Sequence, residues 1–152
     1  MSYTRLLFHI VFRTKYSAPS IDMLYETELY SYIWGIIKNK NNVLYRIGGM
    51  PDHIHLFVEL TGKQSISDFI RDIKTSSSKW LKENPHFPLF DGWGKRYAAF
   101  SYSIKDKETI INYIAGQKAH HSSVSLEDEL RQLLAEQKCV IDEQYFMNDN
   151  AE

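Results

Sequence analysis

The spacing of apolar and polar residues changes period along this chain, and each change marks an element. From Leu6 to Thr14 the apolar positions alternate around Phe8, Ile10 and Phe12, the period of two expected of a strand. Pro19 and Ser20 end it, and Ser20 or Asp22 can cap a helix running to about Lys40, with Leu24, Leu29, Ile33, Ile36 and Ile37 at helical spacing. Val43 to Ile47 predicts a second strand, Gly48 to Asp52 a tight connection, and His53 to Leu60 a third strand, so the two strands form an antiparallel hairpin. Ser65 to Asp68 resembles a capping box and opens a helix with Ile66, Phe69, Ile70, Ile73, Trp80 and Leu81 on one face. Asn84 to Gly94 is a loop rich in Pro and Gly, and Arg96 to Ser103 alternates as a fourth strand. Lys107 to roughly His120 predicts a helix anchored by Ile110, Ile111 and Ile114, and Ser125 caps a last helix with Leu126, Leu130, Leu133 and Leu134.

The resulting order is β-α-β-β-α-β-α-α. Its first six elements predict an α+β, ferredoxin-like βαββαβ fold: an antiparallel sheet with helices on one face, plus C-terminal helices. The third strand belongs near the centre of that sheet. The helices are expected to cover one face and to leave the other open for a ligand.

That third strand holds the first chemical signal. In PDHIHLFVEL, Ile54, Leu56, Val58 and Leu60 share the face expected to be buried, while His53, His55, Phe57 and Glu59 share the other. Two imidazoles then sit side by side on a rigid support, and neutral imidazole is the commonest metal ligand. By itself the pair reads first as two half-exposed residues on a solvent face, and a metal needs further ligands.

The penultimate helix supplies a candidate ligand and a nucleophile. Tyr113 and Gln117 are four residues apart, so they lie on one helical face. A phenol nucleophile and a neutral amide oxygen, brought up to two histidines, leave coordination positions open for water and phosphate oxygens. Such a His/His/Gln site suits Mg²⁺ or Mn²⁺ shared with a phosphate substrate, with tyrosine attacking the polarised phosphodiester.

Composition narrows the setting. A length of 152 residues suits a single domain spanning 1–152, with 148–152 expected to be a flexible polar tail. No stretch approaches the roughly 18 consecutive apolar residues of a membrane span, and Arg5, His9 and Arg13 interrupt the N-terminal apolar run. Cys139 is the only cysteine, which excludes a disulfide framework and a cysteine zinc site and fits a cytoplasmic protein. The net charge of −1 gives no global attraction to nucleic acid, so such binding needs a local patch. Arg71, Lys74, Lys79 and Lys82 stripe one helix face, and Lys105 and Lys118 flank the tyrosine helix; all six are candidate DNA contacts, though such residues are equally solvated charges. Trp93 and Tyr97 are candidates for stacking on bases. His9 is not counted among the ligands, and His120 and His121 are read as helix-end residues that cap carbonyls or face water. Gly116 is read as allowing close packing.

His53-Ile54-His55 has the His-hydrophobic-His form, and with Tyr113-x-x-x-Gln117 it resembles the single-tyrosine HUH transposases of small bacterial insertion sequences, the insertion-sequence-200-like group. Phe12 to Tyr16, Met50-Pro51-Asp52, Phe69 to Leu81, Tyr97 to Ser101 and Tyr113 to His121 follow in the same order, so the resemblance covers nearly the whole chain. It implies a divalent metal, Mg²⁺ or Mn²⁺, held by His53, His55 and Gln117. It implies that Tyr113 cleaves single-stranded DNA at hairpin-bearing insertion-sequence ends, leaving a 5′-phosphotyrosine and a free 3′-hydroxyl. It further implies a homodimer whose active site is shared, with Tyr113 of one subunit nearer the histidines of the other. A histidine-triad hydrolase would need a third alternating histidine where Phe57 stands. Replication initiators and relaxases carry a third histidine or a second tyrosine, and neither arrangement occurs here. The alternative that stays open is a domesticated, ferredoxin-like nucleic-acid-binding protein that holds DNA hairpins without cutting them.

Overall fold

The computed structural model describes residues 2–150. Four strands, β1 (Leu7–Thr14), β2 (Val43–Met50), β3 (His53–Glu59) and β4 (Trp93–Tyr102), form one antiparallel sheet in the order β2-β3-β1-β4. The helices are α1 (Glu26–Asn39), α2 (Ile66–Glu83), α3 (Lys107–Ala115), α4 (Gln117–His120) and α5 (Leu126–Glu136). The expected ferredoxin-like arrangement is present, with β1 and β3 at the centre.

Period-two alternation on the central strands builds the main core. Ile10, Phe12, Ile54, Leu56 and Val58 point to one side and pack against Leu29, Ile33 and Ile37 of α1 and Phe69, Ile70, Ile73 and Leu81 of α2. Each fully buried Leu, Ile or Phe contributes about 1.5–3 kcal/mol. The capping expected of Ser65 and Ser125 is present: each side-chain oxygen accepts a backbone N–H, from Asp68 and Asp128 respectively. The Ser20 or Asp22 cap expected for the first helix is not on α1, whose N-cap Tyr25 makes no side-chain cap bond; Asp22 instead caps the short 3₁₀ turn before it, accepting from Leu24 N.

The opposite face of the sheet differs from expectation. It is not open. Helices α3, α4 and α5 close over it, so Leu7 and Phe57 pack on Ile110 and Ile114, and Val11 and Phe100 pack on Leu126, Leu130 and Leu133. The fold is therefore three layers, helices–sheet–helices, and six of the seven β3 residues are buried on one face or the other. The apolar stripes of α3 and α5 demanded a partner, and the second sheet face is where they found it.

One glycine allows this closure and a second allows the tight hairpin beside it. A Cβ on Gly48 would lie 3.1 Å from the Ile114 carbonyl oxygen, so α3 approaches β2 over a position with no side chain. At Gly49 a Cβ would meet the His53 carbonyl at 2.2 Å, which only glycine avoids. β2 accordingly runs on through both glycines to Met50, and the connection to the histidine strand shrinks to Pro51-Asp52. β4 likewise begins earlier than its alternation predicts, at Trp93.

The expected frayed tail is not seen over Asn148 to Asn150; Ala151 and Glu152 lie outside the described residues. Asp149 is buried and forms a two-pronged ion pair with Arg13, Oδ2–Nη1 2.6 Å and Oδ1–Nη2 2.9 Å. Its carboxylate also accepts from Tyr16 N at 2.6 Å and Lys95 N at 3.1 Å. A polar end can dock when a buried cation offers it enough donors. Among the described residues no helix is long and apolar enough to cross a membrane.

Candidate active site and metal centre

β3 delivers His53 and His55 to the space between the sheet and the α3–α5 layer, and both are 0% exposed. This rules out the bland reading of two half-solvated histidines. His9, which projects from β1 on the same face, is also buried, and its Nε2 lies 2.8 Å from His55 Nδ1. His9 therefore approaches the site without being a ligand: it holds the His55 ring.

Tyr113 and Gln117 reach the same space, but not from one continuous helix. The predicted Lys107–His120 helix is interrupted at Gly116, which caps α3 and precedes α4. A Cβ on Gly116 would come no closer than 3.5 Å to any neighbour, so the close packing expected of this glycine is not borne out. The backbone deflection is small enough that the i,i+4 relation survives. Gln117 Oε1 lies 3.1 Å from His53 Nε2, and the Tyr113 ring centroid lies 5.9 Å from that of His55. His53, His55, Tyr113 and Gln117 thus meet within one chain.

Sequence reasoning missed the residue at the centre. Glu129 of α5 is 1% exposed and receives the Tyr113 hydroxyl. It also accepts from Gln117 Nε2 at 2.9 Å, and its Oε1 lies 3.2 Å from His55 Nε2 and 2.9 Å from His121 Nε2. The signal was present: Leu126, Glu129, Leu130 and Leu133 share the apolar stripe of α5, and a carboxylate on such a stripe needs buried partners. His121 was also misplaced. It does bind a carbonyl, Val124 O at 2.6 Å from Nδ1, but its other nitrogen faces Glu129. His120 Nε2 lies 3.5 Å from Glu129 Oε2.

Burial and these contacts set the electrostatics. Burial pushes the Tyr113 phenol up, and the hydrogen bond to the Glu129 carboxylate and its charge push it further. Burial alone would raise Glu129, but hydrogen bonds from His55, Tyr113 and Gln117 and the charge at His55 outweigh it and hold the carboxyl below its ordinary range. His9 is lowered to about 3 by burial and then by His55, and His55 is lowered chiefly by burial. Tyrosine is therefore held as a protonated phenol in this arrangement.

The donor set fits a metal. Ligand atoms of His53, His55, His121 and Glu129 all lie within 4.8 Å of one another, and Gln117 Oε1 borders the same space. His53 Nδ1 is 2.7 Å from Asp52 Oδ1, the carboxylate–imidazole pairing that orients metal-binding histidines.

The candidate DNA contacts separate into two groups. Arg71, Lys79, Lys82 and Lys105 are exposed, although Arg71 pairs with Asp68 at 3.0 Å. Lys74 turns inward onto the carbonyls of Gly94 and Arg96, at 3.0 and 3.2 Å, and burial and the nearby Arg13 lower its ammonium to about 8. Lys118 is exposed but pairs with Glu26 at 2.8 Å. Tyr97 is exposed at the sheet edge, whereas the Trp93 indole N–H bonds Ser77 Oγ at 3.0 Å and its ring packs on Phe12. A cavity of about 550 Å³ runs between β4 and the C-terminal segment, lined by Val11, Phe100, Leu134, Tyr145 and Phe146 among others, and contains none of the histidines.

Comparisons with known proteins bear on the family and the fold. The ISDra2 transposase TnpA of Deinococcus radiodurans is 32% identical over 77 residues, 45% of this chain and 52% of that protein, so the chain matches about half the length of that curated relative. Two solved structures share the fold. A candidate transposase from Deinococcus radiodurans R1 superposes with a TM-score of 0.57 at 24% identity, covering 76% of this chain and 93% of that one. A REP-associated tyrosine transposase bound to a REP hairpin superposes with a TM-score of 0.56 at 19% identity, covering 82% and 73%. The model of the family described as "Transposase IS200 like" matches residues 2–117, a span that takes in the histidine pair and Tyr113 and ends on Gln117. The chain belongs to the IS200-like transposase family.

Proposed function

We propose that this chain cleaves and rejoins single-stranded DNA at insertion-sequence ends, with Tyr113 as nucleophile. The observation that carries the reading is that the Tyr113 ring lies beside His55 while Gln117 meets His53, in one cluster of a transposase-family chain. A divalent ion, Mg²⁺ or Mn²⁺, held by His53, His55 and Gln117 would polarise the phosphodiester and offset the charge that builds on it. The Tyr113 oxygen forms a bond to phosphorus, the P–O3′ bond breaks, and the 3′ oxygen leaves as a hydroxyl after taking a proton. The phenol proton passes to a base, and Glu129 is the carboxylate that already accepts it. The product is a 5′-phosphotyrosine. Attack by a 3′-hydroxyl on that ester restores the phenol and rejoins the strand, so no nucleotide triphosphate is consumed.

DNA reaches this site only if the Tyr113–Glu129 contact opens, because the α3–α5 layer lies over the histidines. Exposed Arg71, Lys79, Lys82 and Lys105 are available for phosphates, and Lys118 becomes available if Glu26 releases it. Lys74, held by two carbonyls, is the weakest of the six candidates. A hairpin with a single-stranded flank is the expected partner, and its binding should weaken with salt as counterion release is lost.

The test is a suicide substrate: a single-stranded oligonucleotide with a hairpin and a nicked scissile position, incubated with Mn²⁺ or Mg²⁺. A covalent protein–DNA adduct that survives denaturing electrophoresis supports the reading, and its absence with every divalent ion sinks it. We further propose a homodimer, with the sheet edges β2 and β4 as available pairing surfaces. The single chain supports a site built in cis. Mixing Tyr113→Phe with His53→Ala/His55→Ala protein tests this: the mixture stays inactive for a cis site and regains cleavage if the tyrosine layer is exchanged between subunits.

A further inference from the structure

Three imidazoles and a carboxylate converge here, and only two of those imidazoles are needed by the function proposed above. We propose that His121 and Glu129 bind the metal together with His53 and His55, and that this three-histidine, one-carboxylate set takes a transition-metal ion such as Mn²⁺ in preference to Mg²⁺. The inference rests on the metal-site reading of His53 and His55 and adds ligands to it.

Tautomers carry the first part of the argument. His53 Nδ1 faces the Asp52 carboxylate at 2.7 Å, and His121 Nδ1 faces the Val124 carbonyl at 2.6 Å. Both oxygens only accept, so each Nδ1 carries the ring's hydrogen and each neutral ring presents a bare lone pair at Nε2. Those lone pairs do not meet donors. His121 Nε2 points at Glu129 Oε1 at 2.9 Å, and His53 Nε2 points at Gln117 Oε1 at 3.1 Å. The Gln117 amide cannot be turned to help, because its Nε2 is already committed to Glu129 Oε2 at 2.9 Å. Acceptors facing acceptors at these distances need a positive centre between them. Extra protons on the two rings would supply it by placing two imidazolium charges side by side in a buried space, ring centroids 4.6 Å apart. One divalent ion does the same for all of them at once.

Spacing carries the second part. Bonds of about 2.1 Å at angles of roughly 90–110° place neighbouring donors about 3.0–3.4 Å apart. From Glu129 Oε1 the Nε2 atoms of His121, His55 and His53 lie at 2.9, 3.2 and 3.6 Å. The side chains come from β3, the α4 end and α5, so three separate elements have been brought close to the separations of a coordination shell, with all the ligand atoms within 4.8 Å of one another. The orienting contacts match as well: Asp52, Val124 O and His9 each hold the far nitrogen of one ring, as outer partners of metal-bound histidines do. Imidazole is a borderline ligand that suits transition ions, whereas Mg²⁺ favours oxygen and retained water. Both added ligands lie beyond residue 117, where the family match ends.

The test uses the full-length protein stripped with chelator, then loaded with Mn²⁺ or Mg²⁺ and followed by calorimetry. Wild type should bind Mn²⁺ at least a hundredfold more tightly than Mg²⁺. Glu129→Gln and His121→Ala should each weaken Mn²⁺ binding at least tenfold, with folding checked by circular dichroism. Because either variant could lose its fold, pulsed electron paramagnetic resonance on Mn²⁺-loaded wild type counts bound imidazoles directly, and three are expected. Two imidazoles, or unchanged affinity in folded Glu129→Gln and His121→Ala, overturns the proposal and leaves the smaller His53/His55/Gln117 site standing. Undiminished binding in His53→Ala/His55→Ala overturns the metal site itself, and this proposal with it.

Discussion

Replacing Asp149 with alanine should destabilise the fold although the residue is no part of the histidine–Glu129 cluster. Its carboxylate accepts both prongs of Arg13, at 2.6 and 2.9 Å, and two backbone N–H groups, at 2.6 and 3.1 Å. The Arg13 side chain is 9% exposed and that of Asp149 is 2% exposed, so the pair is removed from water. Removing one partner of such a pair costs about 3–5 kcal/mol when the other charge stays buried. Here the terminal segment can lift and let water reach Arg13, which lowers the cost to about 2 kcal/mol, the value of one charged hydrogen bond. For a chain of this size each kcal/mol corresponds to about 2–4 °C, so Tm should fall by roughly 4–8 °C. Thermal melts followed by circular dichroism measure the shift, and hydrogen exchange at the Tyr16 and Lys95 amides should accelerate because both lose their acceptor. Arg13→Met/Asp149→Leu should recover most of the loss, since neither charge then remains. A Tm change under about 2 °C with unchanged exchange at those two amides would refute the docked terminus.

Three further outcomes follow from the same geometry. Tyr113→Phe should keep the fold and give no covalent adduct with a suicide oligonucleotide; any adduct at wild-type level places the nucleophile elsewhere. His9, lowered to about 3 from an ordinary 6.5, favours the folded state while neutral, so its contribution is complete above about pH 6.5 and is lost as pH falls toward 3. That shift is worth on the order of 4 kcal/mol, so metal-free wild type should lose stability steeply across this window and His9→Phe less steeply; parallel pH–Tm curves would contradict the assignment. Gly48→Ala should cost about 1–3 kcal/mol by pushing α3 off the sheet, because its Cβ would sit 3.1 Å from the Ile114 carbonyl; an unchanged denaturation midpoint would show that the helix yields freely.

Much of this protein was legible in its residue order. Alternation placed the strands, 3.6-residue spacing placed the helices, and Ser65 and Ser125 marked two helix starts correctly. Those features depend on neighbours a few residues apart, where covalent geometry dictates which side chains share a face. The same local logic paired His53 with His55 and Tyr113 with Gln117, and the resemblance to a known family joined the two pairs. Local patterns were less reliable at boundaries. β2 extends through Gly48 and Gly49 because the hairpin partner supplies its hydrogen bonds, while Gly116 interrupts a helix that its apolar spacing alone would continue.

What only the tertiary structure decided is where the polar residues went. Period two shows that His53 and His55 share a face, yet not that a third layer of helices buries it. Glu129, His121 and His9 joined the site because α5, the α4 end and β1 converge on β3, and Asp149 left solvent because Arg13 waited in a buried pocket for a carboxylate. The physical reason is common to all four. A polar side chain is buried only when distant segments together satisfy its hydrogen bonds and charge, and that condition is a property of the folded arrangement rather than of any short stretch of sequence.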